Sequence, residues 1–215
     1  KEFTDRGYSF TWKVLNTSDY TNIPQNRERI FMVGFKNESK YTEFKKYPLE
    51  HQNNNGEFKR SRLFDETLIR KIEKKKSFYD IVEKDFSYDK NIKYFYGDSF
   101  MNGNPDHINE LKSNIKKTST FYQWRRVYVR ENKNNLCPTL MANMGTGGHN
   151  VPLILTEEGK IRKLTPKECF KLQGFKNIKL PDISDAQLYK QAGNSVTVPL
   201  IKKLAKSIKK VLEIN

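Results

Sequence analysis

Cysteine and histidine are scarce in this sequence. Two cysteines, Cys137 and Cys169, and three histidines are scattered through 215 residues. No disulfide framework and no metal-ligand spacing can be assembled from them, so no metal site is expected. Long apolar runs are missing too. That argues against a signal peptide and a membrane span, and leaves a reducing, cytoplasmic setting as the expectation. Hydrophobic residues make up 36%, a low share for a domain that must build its own core. The last shortage is of acid. Asp and Glu number 25 against 40 Lys and Arg, for a formal charge of +15. Such an excess points to a polyanion, nucleic acid first and an anionic membrane surface second. Text rich in Lys, Asn and Ile also follows from A/T-rich coding, so the placement of the arginines carries more weight than the total.

Periodicity then divides the chain. Residues 10–15 (FTWKVL) alternate as a strand does, and residues 30–35 (IFMVGF) form the short apolar run of a strand buried on both faces. Together they read as neighbouring strands of a sheet whose other strands are missing. The chain enters this pattern soon after Lys1, whereas a natural terminus is usually loose and polar, so Lys1 reads as the cut end of something longer. Residues 37–118 are rich in Lys and Asn. Residues 51–58 suit an exposed loop, Lys74–Lys76 a solvated face, and Glu66–Val82 one or two helices. Residues 121–155 alternate aromatic and β-branched residues with Arg and include the glycine-rich turn Gly145–Gly148, a β-rich pattern. Between Leu164 and Gly174 a small helix is spelled out: Thr165 as N-cap, Pro166 at the first position, Glu168 completing a capping box and Gly174 as the stop. A last helix, from about Val198 to Ile214, sets Leu200, Ile201, Leu204, Ile208, Val211 and Leu212 in one stripe opposite lysines. That stripe should bury on the strand pair.

Three segments carry candidate chemistry. In PQNRERIFMVGF (24–35), Arg27 and Arg29 alternate at a strand start and point to one side. Guanidiniums there need anionic or carbonyl oxygens, either a ligand's or those of carboxylates such as Glu28 or Asp19. RKLTPKECFKLQGF (162–175) is, by its local physics, a well-capped scaffold helix. In YKQAGNSVTVP (189–199), Gly193-Asn194-Ser195 reads as a tight turn before a helix, whose N–H groups either hold a polar ligand or form an ordinary cap.

Taken in order, P-Q-x-R-x-R, a variable basic region, R-K-L-T-P-x-E-C-x-x-L-Q-G-F and Q-A-G-N-S-V resemble the C-terminal part of DNA cytosine-C5 methyltransferases of the bacterial restriction-modification type. The blocks correspond to that family's eighth, ninth and tenth motifs, and the variable region to its target-recognition domain. The resemblance is close over residues 8–35 and from 121 onward. The family's F-x-G-x-G cofactor turn, Pro-Cys nucleophile and Glu-Asn-Val acid do not occur. Cys137 precedes a proline, the reverse order, and both cysteines read as structural.

The resemblance implies an α/β chain: a partial edge of a Rossmann-like, S-adenosylmethionine-dependent methyltransferase sheet plus a smaller, mainly β recognition domain. Residues 1–36 would be C-terminal strands of the catalytic domain, 37–118 a variable connector, 119–183 the recognition domain, and 184–215 the tenth motif with a helix returning to the catalytic domain. In the family a cysteine thiolate adds to a flipped-out cytosine, whose C5 then takes the methyl group of S-adenosyl-L-methionine. Arg29 would donate to the cytosine O2, and Arg27 would support the same pocket or a nearby phosphate. Asn194, Ser195 and Val196 would line the cofactor pocket. Thr139, of the Thr139-Leu140 pair, would touch a phosphate. Gln123 would fill the gap left by the flipped base. Arg125 and Arg126 would contact guanine edges or phosphates, and Gly145, Gly147 and Gly148 would let backbone approach the duplex. Tyr122, Trp124 and Tyr128 read as core. The implied partners are double-stranded DNA, the missing N-terminal catalytic portion and a cognate restriction endonuclease, with no membrane. Alternative readings are a non-catalytic specificity subunit of a split methyltransferase, a plain basic nucleic-acid binder and an RNA-directed relative.

Overall fold

The computed structural model describes residues 6, 8–36, 69–73, 76–84, 86–97, 105–125, 128–144 and 151–213. Strand β1 (Ser9–Asn16) passes through one helical turn, α1 (Thr17–Tyr20), to strand β2 (Glu28–Phe35). These strands pair antiparallel from Ser9 opposite Phe35 to Asn16 opposite Glu28. Two short helices follow, α2 (Tyr88–Asn91) and α3 (Pro105–Asn114). Strands β3 (Tyr122–Trp124), β4 (Val129–Glu131), β5 (Leu153–Leu155) and β6 (Ile161–Lys163) make a second antiparallel sheet in the order β4-β3-β5-β6. Helices α4 (Pro166–Leu172), α5 (Asp185–Asn194) and α6 (Val198–Glu213) complete the chain.

Cross-strand partners share a face, and this sorts the first sheet. Leu15, Phe31, Val33 and Phe35 pack with Leu200, Ile201 and Leu204 of α6, so the first half of the terminal stripe lies where the sequence places it, whereas Leu212 near its end is 47% exposed. The opposite face carries Val14, Ile30 and Met32, each more than half exposed. The run 30–35 is therefore buried on one face, not on both, because its odd-numbered positions alone meet α6.

In the second sheet, Tyr122, Trp124, Leu153 and Ile161 turn toward Leu111 of α3. Ile154 turns the other way into a larger core with Phe121, Leu140, Leu164, Phe170 and Tyr189. Strands of three residues bury little by themselves, so helices on both faces close this unit. Helix α4 has the expected Thr165 and Glu168 capping box, and Gly174 ends it with φ at 82°.

Two expectations change. Among the described residues of 66–82, only the 3-10 turn Phe78–Asp80 is helical. Ile69 anchors in the α6 core while Phe78 and Ile81 anchor in the larger one. Between these anchors, Ile72 N–H donates to Asp19 O and Lys76 N–H to Asn22 O. Second, Gly193 and Asn194 are not a turn preceding a helix but the last residues of α5, with Ser195 as C-cap. The amphipathic pattern of α5 is masked in the sequence because Gly193 near its end resembles a turn.

Candidate functional site

The three sequence segments meet in one buried junction between the sheets. Arg27, just before β2, is 5% exposed. Its guanidinium donates to Leu140 O at 2.8 Å, Gly193 O at 2.9 Å and Ser195 O at 2.8 Å. These acceptors are main-chain carbonyls, not the carboxylates of Glu28 or Asp19. Burial, with the nearby Arg29 charge, lowers the Arg27 pKa to about 10, so it remains a cation at neutral pH. Removing such a charge from water costs several kcal/mol. Three hydrogen bonds to a charged group, worth roughly 1.5–3 kcal/mol each, offset that. Two acceptors flank the end of α5, where orphan carbonyls and the helix dipole favour a cation. Both terminal nitrogens of Arg27 are thus engaged by main-chain carbonyls within the junction.

The surrounding side chains knit the same segments. Gln25, fully buried, donates to Leu172 O at 2.8 Å. The Thr17 and Thr197 hydroxyls lie 2.9 Å apart, and Thr197 donates to Gln173 Oε1 at 3.2 Å. Gln173 in turn donates to Ala192 O at 2.8 Å and accepts from Val198 N–H at 2.9 Å. Gln25 and Gln173 are residues the sequence reading passed over, although both lie inside its motifs. Gly193 lies so close to residues 141–142 that a Cβ would overlap the Met141 carbonyl and the Ala142 nitrogen.

Arg29 is exposed, and its Nη1 donates to Glu28 O at 2.6 Å. On the far side of the junction, Asn194 and Ser195 border an open concavity of about 440 Å³ with Gln187, Lys190 and Gln191. The Ser195 N–H is already bonded to Gln191 O and Ala192 O, and its hydroxyl donates to Gln191 O. The N–H groups expected to hold a ligand here are thus partly engaged inside α5. Asn194 is exposed, and Val196 is 53% exposed beside it.

The DNA-facing expectations divide. Thr139 donates to Asn26 O at 2.7 Å, which ties the Thr139-Leu140 pair to the segment carrying Arg27. Gln123 is 3% exposed, its Oε1 without a partner among the described residues. It lies on the face of β3 opposite its neighbours Tyr122 and Trp124 and is not presented to solvent in this structure. Arg125 is exposed at the β3–β4 hairpin, where its N–H bonds Tyr128 O. Arg126, Gly145, Gly147 and Gly148 lie outside the described residues. Tyr122 and Trp124 are core as expected, but Tyr128 is 52% exposed at the hairpin.

Beneath the sheet lies a pair that the sequence hid. Arg162 and Glu168 are 1% and 0% exposed, joined by two bonds of 2.9 and 2.8 Å. Glu168 also accepts the N–H groups of Thr165 and Glu83, and Phe86 stacks on the guanidinium. The capping glutamate thereby anchors the whole segment. Cys137 and Cys169 are fully buried, and burial pushes both thiols well up, the opposite of what a nucleophile needs. Among the described residues no group of His, Cys, Asp and Glu could hold a metal, and no helix is long and apolar enough to cross a membrane.

Comparison with known proteins accords with this arrangement. A family model described as C-5 cytosine-specific DNA methylase matches residues 1–210. The type II methyltransferase M.Bsp6I of Bacillus sp. (strain RFL6) is 43% identical over 205 residues, covering 95% of this chain and 56% of its own length. M.HhaI of Haemophilus parahaemolyticus is 29% identical over 212 residues, covering 94% of this chain and 53% of its own. The chain thus spans about half the length of the curated relatives it matches. The crystal structure of the S. pombe Dnmt2 methyltransferase superposes with a TM-score of 0.63 at 15% identity, over 99% of this chain and 60% of that one. That likeness concerns the fold. With a family model matching nearly its whole length, the chain belongs to the C-5 cytosine-specific DNA methylase family.

Proposed function

We propose that this chain supplies the target-recognition half, and one wall of the active site, of a DNA cytosine-C5 methyltransferase. The nucleophilic cysteine then comes from a catalytic portion outside it. The observation that carries this reading is the convergence of its three motifs on one buried junction through Arg27 and Gln173. Residues 1–36 and 184–215 serve the catalytic side, and 119–183 the recognition side, with 37–118 connecting them. Helix α3, at the end of that connector, packs with the recognition sheet.

Placement supports each role in this reading. Arg29 is a fixed cation left uncovered at the edge of the junction, available to donate to the O2 of a flipped cytosine. Arg125 and Thr139 contact the duplex. The concavity beside Asn194 is within the range of small-molecule sites. Its polar rim suits one side of S-adenosyl-L-methionine, with Asn194 as donor and Val196 as apolar contact. When bound, that cofactor supplies the methyl group. The two buried cysteines do not fit the nucleophile's task.

The test has two arms. Incubated alone with duplex DNA and radiolabelled cofactor, this chain is expected to leave the DNA unlabelled. Methyl transfer by it alone would overturn the assignment of the nucleophile elsewhere. In the assembled enzyme, Arg29→Ala is expected to slow single turnover by about a hundredfold or more, roughly 3 kcal/mol. An unchanged rate removes Arg29 from the site.

A further inference from the structure

We infer that Arg27 is a positioning residue that couples target recognition to cofactor holding, through a guanidinium shared between Leu140 and the Gly193–Ser195 segment. The inference rests on the proposed function and adds to it a route between its two ligands.

One planar fork spans two segments that are far apart in sequence. Its Nη1 takes the Leu140 carbonyl, next to the Thr139 hydroxyl that binds Asn26 O. Its Nη2 takes the Gly193 and Ser195 carbonyls, one on each side of Asn194. The peptide planes bracketing Asn194 are therefore aimed by the same group that holds the recognition segment. Gly193 closes the second link, because its Cα rests directly on the Met141–Ala142 backbone. With neither segment free to slide past the other, a shift of residues 139–142 on meeting DNA reaches Asn194 through donor and backbone alike.

The fork matters as much as the charge. Lysine carries the charge on one compact ammonium and lacks the rigid fork that spans both segments. Arg27→Lys is thus expected to keep the buried cation yet separate the two halves of the clamp.

The measurement is the affinity of the assembled methyltransferase for S-adenosylhomocysteine, by calorimetry, with and without a duplex carrying its site. Coupling must be reciprocal, so DNA affinity with and without the cofactor product supplies a check. Wild type is expected to show coupling of at least about fivefold, the low end of ordinary allosteric factors. Arg27→Lys is expected to bring it close to one. Equal coupling in wild type and Arg27→Lys overturns the inference, as does a wild type with no coupling. Failure of the wild type to bind either ligand instead overturns the proposed function. A second measurement needs no variant. Hydrogen exchange on the wild-type enzyme is expected to slow at the Ser195 and Val198 amides when DNA alone is added, and unchanged exchange there also overturns the coupling.

Discussion

Two arginines only two positions apart meet opposite fates. Arg27 is spent on three carbonyls inside the junction, whereas Arg29 stands in solvent at its edge. A third, Arg162, is the most deeply buried of the three and the only one of them paired with a carboxylate. Glu168 uses both oxygens twice, on Arg162 and on the N–H groups of Thr165 and Glu83. A buried pair of this kind adds little over an apolar pair, but removing one partner leaves a stranded charge. Glu168→Gln is accordingly expected to lower unfolding free energy by about 3 kcal/mol or more, read from urea denaturation. A loss under about 1 kcal/mol would show that water reaches the pair.

At the scale of elements, the two-stranded sheet is half finished. Its inner face is covered by α6, while Val14, Ile30 and Met32 remain open on the other. A two-stranded ribbon with an apolar face is marginal alone, and exposed patches of this kind seek a partner. This chain by itself is expected to self-associate with rising concentration in sedimentation experiments. Replacing Ile30 and Met32 together by Lys is expected to weaken that association while leaving helix content unchanged. A wild-type chain that stays monomeric throughout would show that the face needs no cover.

Over the whole molecule, burial leaves a signature in alkaline stability. Burial raises Tyr96 to about 12 and lifts Tyr94, Tyr189, Cys137 and Cys169 as well. In each the folded state keeps its proton longer than the unfolded chain does. Their stabilising contribution is complete below the unfolded values, 9.0 for the thiols and 10.0 for the phenols, and is lost as pH rises through the folded ones. Lys163, Lys203 and Arg27 are lowered by burial and act in the opposite sense. The lysine contribution ends at the unfolded value of 10.5, so above that pH, among the described residues, the five groups raised by burial stand against Arg27 alone. The melting temperature is expected to fall most steeply above about pH 10.5. A flat profile there would mean that these phenols and thiols are not buried.

What the sequence determined by itself was whatever local chemistry encodes. The capping box of Thr165 and Glu168, the stop at Gly174 and the stripe of Leu200 and Leu204 each depend on neighbours within a turn or two, and each appears where its spacing puts it. The order of the three motifs carried the family for a similar reason, since order is a property of the chain alone. Tertiary structure decided the rest. Arg27 finds its acceptors 113, 166 and 168 residues away, a distance no spacing rule reaches. Gln123 went inward and Tyr128 outward, against expectation, because a three-residue strand is too short for its alternation to show which face meets the core. Burial there was settled by α3 on one side and by α4 and α5 on the other, and only the folded chain brings those surfaces together.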